Sequence, residues 1–521
     1  MNEAAPNTVN PLLVSMVVSL AAFMEVLDTT IANVALSHIA GSLGASSEES
    51  TWVLTSYLVS NGIILPLSGW LSGLMGRKNF FIFCILGFTF TSLMCGLSTS
   101  LPMLILFRLL QGITGGGLQP TQQAIIKDSF PPDKLGMAFA ITGITTVLAP
   151  ILGPMLGGYI TDNFTWRWIF FMNVPVGLVA AFLVNALVQD PPSAQKQSMG
   201  SIDYIGLALI AIGLGALQIV LDKGQQEDWL DSSFIVFFAV IAVIGLILAV
   251  FWLWHQKHPV VDLKLFKIPS FGMPCIMMFF VGFALYSSTM LLPMLMQTNF
   301  GYDATLSGLV LSPAGLVVLF LMPLVGRLVT VVQAKYLVSI GMLLNAVGML
   351  ATGFITPQTD YNTFVFVRIL QTLGLPFLFI PASTLAFSKI TPENSSNASA
   401  IISLMRNLGG SIGISLVTNK LIHSQQVQQS YLVQHLTAAD AGYQSALPAY
   451  TRIMENLGIP PASASTAAMG RIYQELIHQS GILAYRDAYQ FLAAVLLILA
   501  VAALFMPGNT LKKKLNSPAP H

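Results

Sequence analysis

Residues 23–33 read Phe23-Met24-Glu25-Val26-Leu27-Asp28-Thr29-Thr30-Ile31-Ala32-Asn33, inside an apolar run from about Pro11 to Leu36. A run of about 20 apolar residues crosses the hydrocarbon core of a bilayer, and a carboxylate there costs about 2.5–3.5 kcal/mol. Two carboxylates three positions apart therefore need polar surroundings that lipid does not supply. At about 100° per residue, Glu25, Asp28, Thr29, Ala32 and Asn33 share one arc of roughly 140° on a helix. Phe23, Leu27, Ile31 and Val34 lie opposite. One side of this helix suits lipid or an apolar neighbour; the other suits a polar interior.

The whole chain fits that reading. Of its 521 residues 55% are hydrophobic and 9% charged, and the mean hydropathy is +0.74. Soluble domains carry about 25% charged residues, so this is a polytopic membrane protein of the all-α class. A net charge of +1 is itself uninformative about partners, no basic patch suggests nucleic acid, and none is expected. Cys84, Cys95 and Cys275 lie in apolar runs without paired spacing, which argues against a disulfide framework or a zinc site. No GxxxxGK[ST], HExxH or histidine cluster is present, so neither ATP nor a metal is expected to act through this chain, and no cofactor is expected. The first apolar run is too long for a cleavable signal, and no small-residue cleavage site follows it.

Apolar runs place fourteen membrane helices near 12–36, 52–73, 80–98, 102–124, 136–160, 167–188, 203–222, 233–254, 271–298, 304–328, 335–355, 363–388, 395–420 and 482–506. With a cytoplasmic N-terminus, the inside loops receive Arg77, Lys78, Lys127, Lys134, Lys196, Lys257, Lys264, Lys267, Arg327, Lys335, Lys389 and the tail Lys512-Lys513-Lys514. The short outside loops hold little beyond Arg167 and Lys223, the asymmetry that orients a membrane protein, so both termini are expected inside. Phe107-Arg108-Leu109-Leu110-Gln111 recurs as Val367-Arg368-Ile369-Leu370-Gln371, and Pro66-Leu67-Ser68-Gly69 as Pro323-Leu324-Val325-Gly326, at offsets of 260 and 257 residues. Each match steps forward by eight spans. That predicts two six-helix bundles, 1–190 and 261–521, around an inserted helix pair with its inner linker at 191–260. The inserted pair reads as peripheral. A polar segment from about 421 to 481 breaks the rhythm and reads as an outside loop with short amphipathic helices.

The fourth span is the expected partner of the first. Arg108, Gln111, Gly112, Gly115, Gln119 and Gln122 fall within about 60° of one line on it. Counting rises of 1.5 Å from the outer ends puts Asp28 about 12 Å deep and Arg108 about 9 Å deep. The two charges can pair, and separating them would let the carboxylate take a proton. Gly69 to Lys78, including Gly76 and the basic pair Arg77-Lys78, forms a tight turn at the inner surface. Ala149 to Gly158, with Gly153, Pro154, Gly157 and Gly158, makes a kinked, slender helix surface for close packing. Arg406 to Gly413 reads as its counterpart in the second half.

With these motifs in place, the chain resembles the major facilitator superfamily, in particular its fourteen-helix drug:proton antiporters of the EmrB/QacA type. The carriers are Leu27 to Leu36, Gly69 to Lys78, Arg108-Leu109-Leu110-Gln111-Gly112 and Gly153 to Gly158; Leu221-Asp222-Lys223-Gly224, Asp228-Trp229 and Pro259 to Leu263 point to the EmrB branch. The resemblance departs at Gly73, where the family's loop motif usually has an acid, which puts a latch at that point in doubt.

The resemblance implies a bacterial inner-membrane exporter of hydrophobic or amphipathic compounds. It would be driven by protons and work with a periplasmic adaptor and an outer-membrane channel, the long 421–481 segment supplying part of the contact. Asp28 would carry the proton, Arg108 would tune it, and Glu25 would assist or select cationic substrates. Asn33, Tyr57, Asn61, Gln111, Gln119, Gln123, Tyr286, Gln297 and Gln371 are candidate polar contacts to substrate. Two other readings stay open: a proton symporter for a nutrient or siderophore-like solute, and a membrane sensor that binds ligand without moving it.

Overall fold

The computed structural model describes residues 10–131, 134–190, 203–257, 259–437 and 439–508. Lys196, the tail lysines and the first part of the expected linker after 190 lie outside them. Among the described residues fourteen helices are long and apolar enough to cross a bilayer, and there is no strand. The first seven spans are Pro11–Val34, Trp52–Met75, Arg77–Gly96, Leu101–Ser129, Leu135–Asn163, Trp168–Leu187 and Tyr204–Lys223. The eighth to fourteenth are Ser233–His255, Pro269–Asn299, Ala304–Leu328, Ala334–Thr352, Tyr361–Phe387, Pro392–Val433 and Pro461–Ala503. The fourth span breaks at Gly116-Gly117, and its repeat partner, the twelfth, breaks at Gly374.

Spans one to six form one bundle and spans nine to fourteen the other. The bundles meet along two seams, and small residues set both. On the fifth and tenth spans, Gly136 lies against Gly326 and Gly158 against Ala304. On the second and thirteenth, a β-carbon at Gly69 would stand 2.9 Å from the Asn397 Cα. Helices in lipid gain little from apolar contact, so close backbone approach supplies the packing. Gly153 and Gly157 turn the other way, toward Thr30 and Ile31 of the first span, with Pro154 half-buried between them. The proline–glycine motif therefore threads the fifth span between the first and the tenth.

The face at which the first span begins, the near face, holds a polar clasp. Arg77 pairs with Asp128 at the end of the fourth span and donates to the Pro392 carbonyl at 2.6 Å. Asp128 also accepts from Ser395 Oγ and lies 3.2 Å from Lys127. Gly76 has φ 85°, which lets the chain turn directly beside Asp190; the Lys78 backbone N–H donates to Asp190 at 2.9 Å, and its ammonium donates to the Asn185 carbonyl. Arg77 thus has an acidic partner on another helix, Asp128, although Gly73 carries no acid.

Two expectations change. The seventh span is not peripheral: Gly215 packs on Ile63 of the second span, and Gln218 accepts from Ser411 Oγ of the thirteenth at 3.2 Å. Only the eighth, joined to it at Gly213 and Gly245, lies outside with Phe237, Ile247 and Phe251 exposed. The 421–481 segment holds one short helix, as expected, but the rest of it is largely an extension of the two flanking spans. The thirteenth-span helix runs on to Val433, the fourteenth begins at Pro461, and a helix Ala441–Asn456 joins them. Helices of 39 and 43 residues reach well past a hydrocarbon core about 30 Å thick. Ala464, Ala468, Ile472 and Leu476 are buried at intervals of four, a helix stripe that the segment's overall polarity hides.

The Gly112 Cα faces the Tyr57 carbonyl and the Ser60 hydroxyl of the second span, whereas Gly62 has open space. Gly112→Ala should lower the thermal unfolding midpoint of the detergent-solubilised protein by several degrees, corresponding to about 1–3 kcal/mol of overpacking, and Gly62→Ala should not. Equal midpoints for the two variants would contradict this packing.

Candidate functional site

The first bundle buries two carboxylates one helical turn apart, each with its own set of donors. Asp28 accepts from Arg108 Nη1 at 2.6 Å through one oxygen. Through the other it accepts from Asn173 at 2.7 Å and Gln111 at 3.3 Å. Arg108 also donates to the Gln111 side-chain oxygen at 2.8 Å and the Val53 carbonyl at 3.2 Å. Its guanidinium carbon lies 4.3 Å from the centre of the Tyr57 ring. Arg108 is 0% exposed and Asp28 2%. The pairing expected from helix depth is present. It ties together the first, second, fourth and sixth spans.

Glu25 sits below. One oxygen accepts from the Tyr57 hydroxyl at 2.9 Å and Asn61 at 3.2 Å; the other accepts from Gln119 Nε2 at 2.6 Å. Gln119 then reaches across the seam, its side-chain oxygen accepting from Arg406 Nη2 of the thirteenth span. A glutamine amide is suited to this place, because one end donates to a carboxylate and the other accepts from a guanidinium. Tyr57 joins the two layers, with its ring against Arg108 and its hydroxyl on Glu25. The result is a continuous polar chain, Asn173–Asp28–Arg108–Tyr57–Glu25–Gln119–Arg406, running from one bundle into the other.

Not every expected contact joins it. Gln123 is buried, but its amide nitrogen has no hydrogen-bond partner among the described residues. Tyr286 is half-buried beside Gly410 in the second bundle, near Arg406. Gln371 accepts from Arg368 at 3.3 Å and donates to Thr352 at 2.7 Å, a separate cluster. Asn33 and Gln297 are exposed at the far ends of their helices and lie apart from the buried chain. Asn33 shares the polar arc of the first span, but each of the two lies about where its helix leaves the membrane. Two residues of the buried chain went unread in the sequence. Asn173 had no motif to flag it. Arg406 opened a glycine-rich packing motif and was read only as part of that.

The sequence profile of the Major Facilitator Superfamily matches residues 18–414. The chain belongs to that superfamily. It is 35% identical over 488 residues, 94% of this chain and 93% of the relative, to "Multidrug export protein EmrB" of Escherichia coli (strain K12). It is 37% identical over 427 residues, 82% of this chain and 83% of the relative, to the protein of that name in Haemophilus influenzae. To "Fatty acid resistance protein FarB" of Neisseria gonorrhoeae it is 35% identical over 429 residues, 82% of this chain and 84% of the relative. These place it in the EmrB-type multidrug branch. Among solved structures, the major facilitator proton:xylose symporter XylE superposes with a TM-score of 0.59 at 16% identity, covering 96% of each chain. At that identity the likeness speaks for the fold. A superfamily fold of two bundles with a buried polar core is the expected frame for a transporter, and this chain is one.

Removing one partner of a buried ion pair leaves the other charge uncompensated, at a cost of about 3–5 kcal/mol. Asp28→Leu and Arg108→Met should each destabilise the solubilised protein by about that much, and the double variant by clearly less than the sum. A double-mutant cycle on thermal unfolding measures the coupling, and additive losses would contradict a direct pair.

Proposed function

We propose that this transporter exports hydrophobic and amphipathic compounds across a bacterial inner membrane in exchange for protons, by alternating access between bundles 1–190 and 261–521. The observation that carries the reading is the fully buried Asp28–Arg108 pair, joined through Tyr57 and Glu25 to a guanidinium of the opposite bundle. A transporter that couples protons to a change of shape needs an acid whose partner depends on that shape. Asp28 meets the requirement. A proton on it cancels the ion pair and weakens the hold of Arg108 and Asn173, which draw the second, fourth and sixth spans toward the first. Glu25 passes that change to the seam, because its donors Tyr57, Asn61 and Gln119 come from the second and fourth spans.

Broad selectivity calls for adaptable apolar side chains beside a few polar ones. Methionine and aromatic side chains adapt to varied apolar solutes, and Tyr57, Asn61 and Gln119 offer polar contacts beside them. The names of the relatives point the same way. In this conformation the near face is closed by the Arg77–Asp128 clasp, the Pro392 carbonyl and the contact of Gly69 with Asn397. By the distribution of lysine and arginine the near face is cytoplasmic, with both termini on that side. The helices extending from the thirteenth and fourteenth spans would then rise into the periplasm. Exposed Val427, Tyr431, Ile453, Leu457 and Tyr473 give that projection a surface for the adaptor of a tripartite pump, which hands substrate to an outer-membrane channel.

Transport in proteoliposomes under an imposed pH gradient tests the coupling. Asp28→Asn should reduce gradient-driven export of a lipophilic cation by at least about 100-fold, in the range found when a positioned proton-transfer group is lost. Unchanged export with unchanged proton flux would overturn the mechanism.

A further inference from the structure

The two bundles are unlike in buried charge. The first sets Glu25 and Asp28 against Arg108. The second buries Arg368 and Arg406, both 0% exposed. Among the described residues of spans nine to fourteen, the acids are Glu393, Glu475 and Asp487, and none of them is buried. The sequence repeat shows what is missing. At the offset that carries Arg108-Gln111 onto Arg368-Gln371, Asp28-Thr29 falls on Ser288-Thr289. In the structure Arg368 donates to those hydroxyls, at 3.4 and 2.8 Å, where Arg108 has a carboxylate. The second bundle keeps the arginine and the glutamine of the site and lacks the acid.

Arg406 is the more exposed of the two in a chemical sense, because what it holds belongs to the other bundle. Nη2 donates to Gln119, while Nε and Nη1 are buried with no well-aligned hydrogen bond among the described residues, the Tyr286 hydroxyl being the polar group of its own bundle beside them. The Phe379 ring centre lies 6.0 Å from its guanidinium carbon and Tyr286 stands nearby. Any movement that parts the bundles takes Gln119 away with the fourth span. The guanidinium then keeps only Tyr286 and the Phe379 ring of its own bundle beside it, and the donors that held Gln119 are free for a substrate oxygen. Such a group recognises a planar carboxylate, by paired hydrogen bonds and by charge.

We infer that Arg406 is a substrate-recognition residue for amphiphiles carrying one carboxylate, which take the place of Gln119 on its guanidinium, while Glu25 serves cationic compounds on the other side of the same glutamine. The inference rests on the exporter reading and gives it a two-signed site. An anion engages Arg406 and releases the Gln119 oxygen; a cation engages Glu25 and releases the Gln119 nitrogen. A neutral compound needs neither charge. One glutamine, donor at one end and acceptor at the other, occupies both charged groups when no substrate is present.

The test compares two probes with one skeleton, pyrenebutyrate and pyrenebutanol, by tryptophan-to-pyrene energy transfer on the purified full-length protein at about pH 8, where the acid is ionised. The readout is the ratio of their dissociation constants, which cancels any general weakening of the site. The native protein should prefer the carboxylate by about 10- to 100-fold, the range of a charged hydrogen bond. Arg406→Gln should bring the ratio close to one, and Arg406→Lys should keep part of the preference. Gln119→Glu leaves the arginine in place but gives it an internal carboxylate, so it too should abolish the preference, and Glu25→Gln should raise it. A preference that survives both Arg406→Gln and Gln119→Glu overturns the assignment. So does a native ratio near one with saturable pyrenebutanol binding, which leaves the exporter reading standing. If neither probe is bound or exported, the exporter reading fails and this inference with it.

Discussion

A buried charge must keep a partner wherever the surrounding helices go, and that constraint shapes the centre of this transporter. Water does not reach Arg108 or Asp28, so each is tolerable only while the other is present. Their 2.6 Å contact is backed by Asn173, Gln111, the Val53 carbonyl and the Tyr57 ring. Positions in four spans are thereby fixed by one pair of charges. A change in the state of that pair is felt by all four at once, which is what a device linking protonation to shape requires.

The glycines matter because of the same constraint. For the second span to place Tyr57 between Arg108 and Glu25, it must lie almost in backbone contact with the fourth, and Gly112 and Gly115 allow that. For the bundles to rock, their seams must be smooth, and Gly69, Gly136, Gly158 and Gly326 line them. The seventh span, bonded through Gln218 to Ser411 and resting on Ile63, lies across one seam. A helix so placed touches both bundles.

Much of this was legible in the sequence, and the limits follow a physical line. Helix-forming apolar runs and the repeat gave the fourteen spans and their grouping. The Asp28–Arg108 pair followed from depth and helix face, because within a bundle antiparallel neighbours and a common membrane surface fix relative height. Relations across the seam had no such ruler. Gln119 and Arg406 are far apart in sequence on helices whose relative height depends on how the bundles dock, and a glycine-rich stretch after Arg406 drew attention to packing. Beyond 420 helical spacing pointed to short helices, but not to the spans running on into them, because polarity reads as a break and the burial that sustains these helices comes from one another. The Gly73 departure shows the converse. A missing acid in a motif said nothing about Asp128, which arrives from another helix.

We propose that Asp28 exchanges a proton as its pair with Arg108 breaks and re-forms, and that a bound cation favours the proton-free pair. Proton release on adding a saturating lipophilic cation to the purified protein in weakly buffered solution measures it without a membrane or a gradient. The account predicts release of protons by the native protein, falling to near zero in Asp28→Asn while the cation still binds. Equal release from both proteins would contradict it.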